Sequence, residues 1–149
     1  MSGALFKRIE ILMIEDSPTD ALIAREAIDH AKVFNTLHVV DDGVEAMSFL
    51  RKEGQYGSKP KPDLILLDLN LPKKSGQEVL AEIKADESLK TIPVVVLTSS
   101  KDEADIFRAY GLHANCFISK PVDFSSFVEL VRSITQFWFA IVTLPPGDT

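Results

Sequence analysis

The chain has 149 residues, 46% hydrophobic and 26% charged, the balance of an ordinary globular fold with one real core. Its net charge is −6, the wrong sign for a free-standing nucleic-acid binder, and no apolar run approaches the ~20 residues that span a bilayer. A lone cysteine, Cys116, excludes an internal disulfide, and MSGALFKRIE lacks the long apolar core of a secretion signal, so a cytoplasmic protein is expected.

Ile9 to Ile14 reads as a buried strand that delivers Glu15 and Asp16 at its carboxyl end. Ser17 caps the helix that follows, with Pro18 and Asp20 suited to its first turn and Leu22, Ile23, Ala27 and Ile28 on its apolar face. Leu37 to Val40 is a short second strand. Asp42 caps a second helix carrying Val44, Met47, Phe49 and Leu50, and residues 51–62 form a long polar loop.

Leu64 to Leu67 is apolar throughout, as expected of a strand covered on both faces, and it runs straight into Asp68. Ser75 caps the third helix. Val94 to Leu97 makes a fourth strand ending in Thr98-Ser99-Ser100, and Asp102 to Tyr110 a short helix. Ala114 to Ile118 makes a fifth strand ending in Ser119-Lys120-Pro121, and Asp123 caps a last helix that runs to about Val142. Strand and helix alternate five times, which predicts a parallel sheet with helices on both faces. No linker or repeat interrupts it, so a single domain over 1–149 is expected, with a core of about 7–135 and a helical extension and tail over about 136–149.

In the strand order 2-1-3-4-5 the first and third strands are neighbours, and Glu15, Asp16 and Asp68 converge in one cleft at the switch point. Clustered carboxylates repel unless a cation compensates, and hard oxygen donors suit Mg²⁺. Asp16, Asp68 and the backbone carbonyl of Asn70 are the expected ligands, with Glu15 close by or acting through water. Thr98 adds a hydroxyl and Lys120 an ammonium. Such a cleft suits phosphoryl transfer, with Asp68 as the nucleophile that becomes an aspartyl phosphate.

The set Glu15-Asp16, Asp68, Thr98-Ser99 and Lys120-Pro121 resembles the receiver domain of two-component response regulators over about residues 7–135. That resemblance implies a flavodoxin-like (βα)5 doubly wound fold, phosphorylation of Asp68 by a sensor histidine kinase, and dependence on Mg²⁺. It also implies a switch pair, Thr98 and Phe117, that reports phosphorylation to a partner-facing surface. Two positions depart from the commonest family pattern: Glu15 stands where aspartate is usual, and Phe117 where tyrosine is. DLNLPKKSGQEVLAEIK, TIPVVVLTSS and FWFAIVTLP further resemble the small regulators paired with phytochromes, which implies a red-light kinase as donor and a homodimer.

Phe124, Phe127, Val131 and Trp138 of the last helix can cover the sheet. A second stripe, Leu130, Ile134, Phe137, Ile141 and Leu144, is expected to form a dimer or interaction surface. The alternative is a tail folded back over its own domain. His30, His38 and His113 show no ligand spacing, and Lys73 and Lys74 read as solvated.

Two other functions compete with the phosphoacceptor. A phosphohydrolase of the haloacid dehalogenase type needs an acid two residues after its nucleophile, and Asn70 stands there. A docking module that is never phosphorylated would have no use for the full acceptor set. A signalling phosphoacceptor rather than an enzyme is therefore expected, with Asn70 and Ser100 flanking the path of an attacking water.

Overall fold

β1 (Ile9–Ile14) pairs in parallel with β2 (Asn35–Val40) on one side and with β3 (Leu64–Asp68) on the other. β3 pairs in turn with β4 (Val94–Thr98), and β4 with β5 (Cys116–Ser119), so the sheet order is β2-β1-β3-β4-β5. The computed structural model describes residues 8–32, 35–98, 116–119 and 124–142, with 98, 116–119 and 134–142 as backbone alone. The expected doubly wound parallel sheet is therefore present. The helix expected over 102–110 and the cap at Asp123 lie outside the described residues.

The apolar strands separate two cores. Leu12, Ile14, Ile65, Leu67, Val94 and Val96 face α2 (Gly43–Leu50) and α3 (Gly76–Ala85), where they meet Phe49, Leu80 and Ile83. Ile11, Met13, Leu64, Leu66, Val95 and Leu97 face the other way, toward α1 (Pro18–His30) and the C-terminal helix α4 (Phe124–Val142). Alternate side chains of one strand thus feed opposite layers, which is why the central strands read as unbroken apolar runs.

Helix starts follow the expected caps. Ser17 accepts from the Asp20 amide, Asp42 from the Glu45 amide, and Ser75 forms a reciprocal capping box with Glu78. The helix faces differ from expectation at four positions. Leu22 is 54% exposed and Val44 47%, while Ala24 and Ala46 take their places in the core. Phe124 is exposed rather than covering the sheet. Its ring meets His30 edge-on, and Phe127, Val128 and Val131 do the covering. Leu130, placed on the outward stripe, is half-buried against that same cluster. One strand start and one loop also differ. β2 begins two residues early, at Asn35, and the loop after α2 contains a 3-10 turn at Gly54–Tyr56.

Candidate metal and phosphoacceptor site

The register of β1 against β3 builds the site. Ile14 lies beside Leu67, so the next residues in each strand direction, Glu15 and Asp68, emerge together at the carboxyl end of the sheet. One carboxylate oxygen from each of Glu15, Asp16 and Asp68 lies within 4.8 Å of the others. Glu15 and Asp68 are buried and Asp16 is exposed, so the cluster has a closed floor and an open side.

Local hydrogen bonds orient the two buried acids. The Glu15 amide donates to the Val40 carbonyl across the β1–β2 pair, and the Ser17 amide donates to Glu15 Oε2 at 3.2 Å. Asp68 Oδ1 accepts from the Asn70 amide at 3.1 Å, while the Leu69 amide donates to Leu97 O. Gly76 lets the start of α3 press against the strand end. A Cβ there would lie 2.6 Å from the Asp68 carbonyl oxygen, closer than any side chain tolerates.

The cluster borders an open cleft of about 380 Å³ on its β2 side, lined by Glu15, Asp16, Val39, Asp41, Glu45 and Tyr56 among others. Burial and the neighbouring Glu45 carboxylate push the Tyr56 phenol above its ordinary value, so it stays protonated and able to donate.

The donor set fits a hard divalent cation. All three groups are carboxylates, two have lost their bulk water, and no imidazole or thiolate belongs to the group. The same convergence of one acid pair from β1 and one acid from β3, at the point where the strand order reverses, is where open α/β sheets place their ligands.

A family model described as the response regulator receiver domain matches residues 11–132. The chain belongs to the response regulator receiver family. Among curated relatives, the receiver is 47% identical to response regulator Rcp1 of Synechocystis sp. over 135 residues, covering 91% of this chain and 92% of that one. Among solved structures it resembles the phosphorylated cyanobacterial phytochrome response regulator RcpA, with 49% identity, a TM-score of 0.79, and coverage of 93% and 99% of the two chains. It resembles the Mn²⁺-bound form of Rcp1 as well, with 46% identity, a TM-score of 0.77, and coverage of 92% and 99%. The receiver is therefore a two-component signalling protein with phytochrome-associated relatives.

The other expected site residues of the receiver are placed unequally. Asn70 is exposed beside Asp68, at the start of the loop to α3. Thr98 ends β4, one step beyond the Asp68–Leu97 pair, and lies opposite Ser119 of β5. Phe117 lies in β5 opposite Val96. Lys120, Ser100 and Leu144 lie outside the described residues, and Ile134, Phe137 and Ile141 are placed in α4 by their backbone.

Sequence reading missed several ion pairs. Asp42, expected only as a cap, is also buried and ion-paired with Lys73 at 3.4 Å. Lys74, expected in solvent, pairs with Glu82, which also holds Arg51 at 3.1 Å. The one local hint is a lysine doublet directly after Pro72, where the chain leaves the central strand. Among the described residues, no helix is long and apolar enough to cross a membrane.

Proposed function

We propose that this receiver accepts a phosphoryl group on Asp68 from the phosphohistidine of a sensor histidine kinase, in a Mg²⁺-dependent step. The observation that carries the reading is the meeting of Glu15, Asp16 and Asp68 oxygens within 4.8 Å at the switch point of the sheet. An Asp68 carboxylate oxygen attacks phosphorus. The phosphorus–nitrogen bond breaks, its electron pair returns to the donor imidazole, and an acyl phosphate forms on Asp68.

Asp16, Asp68 and the Asn70 carbonyl hold Mg²⁺ in this reading, with Glu15 beside it; the ion compensates the charge of the incoming phosphoryl oxygens. Burial keeps Asp68 away from bulk water, and the Asn70 amide fixes the orientation of its carboxylate. Thr98 supplies a hydroxyl and Lys120 an ammonium to the phosphoryl oxygens, so that negative charge finds donors as it arrives. Thr98 and Phe117 then carry the change to the surface formed by β5 and α4.

The donor we assign is a bacterial phytochrome. Support comes from the likeness to RcpA, described as a phytochrome response regulator, and to Rcp1. The partner-facing surface lies along α4, where Ile134, Phe137 and Ile141 recur at three- and four-residue steps toward Leu144. With Leu130 half-buried on the core, this stripe begins one turn later than its sequence suggests, and we assign it to a two-fold homodimer contact. The chain acts as a cytoplasmic signalling domain spanning 1–149.

Radiolabelled phosphotransfer from purified phytochrome kinases tests the reading. Label should pass to this chain within the first time points and be absent from Asp68→Asn. Transfer from unrelated kinases at the same rate would overturn the phytochrome assignment, and labelling of Asp68→Asn would overturn the acceptor. Sedimentation equilibrium tests the dimer, and a monomer mass that holds at every concentration, with or without acetyl phosphate, would remove it.

A further inference from the structure

The loop that follows Asp68 is tied to the start of α2 by contacts that the acidic cluster does not itself require. Asp42 is buried, with one carboxylate oxygen capping α2 through the Glu45 amide at 2.8 Å. Its other oxygen lies 3.4 Å from Lys73 Nζ, on a side chain that is 66% exposed. One residue on, the backbones nearly touch: a Cβ on Gly43 would sit 2.1 Å from the Lys74 carbonyl oxygen.

Lys73 itself adopts a left-handed backbone at φ 68°. A residue with a side chain gives up stability there that glycine would keep. An ion pair with so exposed a lysine returns little stability of its own. Stability alone therefore does not account for a lysine at this position. Its place does: Lys73 stands three residues after Asn70, in the same short loop, which the Gly76 amide closes onto the Leu69 carbonyl at 3.2 Å.

We infer that Lys73 is a positioning residue for the metal site, anchored by Asp42 so that the loop presents the Asn70 carbonyl toward the carboxylate cluster. The inference rests on the proposed Mg²⁺ site. It also opposes simple charge arithmetic, because removing a cation near a cation site should tighten Mg²⁺ binding, whereas a loosened loop should weaken it.

Calorimetric titration of the full chain with Mg²⁺ alone separates the two. Lys73→Met should bind Mg²⁺ about tenfold more weakly, as expected for loss of an outer-shell support. Lys73→Arg should stay close to the parent chain, and the metal-free melting temperature of both should hold within about 2 °C. Unchanged or tighter binding by Lys73→Met overturns the inference, and so does equal weakening of Lys73→Arg. Asp16→Ala is the control for the site itself. If the parent chain binds no Mg²⁺, or Asp16→Ala binds it equally well, the site reading fails and takes the inference with it. If the parent binds, Asp16→Ala does not, and Lys73→Met matches the parent, only the role of Lys73 falls.

Discussion

Glu15 and Asp68 stand side by side across the β1–β3 pair, both 2% exposed, with carboxylate oxygens no more than 4.8 Å apart. Two like charges at that separation repel by about 3 kcal/mol at the effective dielectric of a protein site, before hydrogen bonds offset part of it. Without a cation this is a standing cost of the fold. Asp68→Asn should therefore raise the metal-free stability, by about 1–3 kcal/mol, or several degrees of melting temperature for a chain of this size. Mg²⁺ should raise the parent's melting temperature and narrow the difference. Scanning calorimetry in chelator and in Mg²⁺ checks this, and a metal-free Asp68→Asn that melts below the parent would count against the charge-repulsion account.

Glu82 contributes a second, acid-sensitive element. The hydrogen bond from Lys74 holds its carboxyl below the usual carboxylate range, and the nearby Lys74 and Arg51 charges outweigh the opposing effect of burial. A depressed folded value means stability that is present above the unfolded value, about pH 4.3, and lost as pH falls through the folded one. Glu82→Gln should cost about 0.5–1 kcal/mol near neutrality, the range of partly exposed ion pairs. That deficit should shrink toward zero as pH falls from about 5 to about 3. Denaturant unfolding at stepped pH gives the comparison, and a deficit independent of pH would assign Glu82 a packing role instead.

Lys52 closes α2 in a Schellman arrangement: its amide donates to Phe49 O, the Glu53 amide donates to Ser48 O, and its φ is 56°. Glycine is the residue that geometry favours. Lys52→Gly should stabilise the chain by about 0.5–1 kcal/mol and raise the melting temperature by a few degrees, with Mg²⁺ binding unchanged. A fall in melting temperature would mean that the lysine's charge at the negative end of the helix outweighs the backbone strain.

The sheet was legible because burial on both faces leaves a mark that one strand carries alone: Leu64 to Leu67 has no polar residue to misread, and all four are buried. The acids were legible for the same reason, since each follows such a run. Helix faces were less so. Leu22 and Val44 are apolar at exposed positions, and single exposed hydrophobes are common enough that periodicity around them misleads. Small residues took the buried places, Ala24 of α1 in the core on one side of the sheet and Ala46 of α2 in the core on the other. The Lys73–Asp42 and Lys74–Glu82 pairs were invisible for another reason. Residues 42 and 73 become neighbours only once β1 has been inserted between β2 and β3 and the two crossover helices, α2 and α3, have settled on one face.

The central claim is that Asp68 becomes phosphorylated. Intact-mass measurement after incubation with acetyl phosphate tests it without any kinase. The parent chain in Mg²⁺ should gain the mass of one phosphoryl group, hydroxylamine should remove it as expected for an acyl phosphate, and Asp68→Asn or chelated parent should gain none. A parent chain that stays unmodified in Mg²⁺, or an Asp68→Asn chain that gains the same mass, would contradict the account.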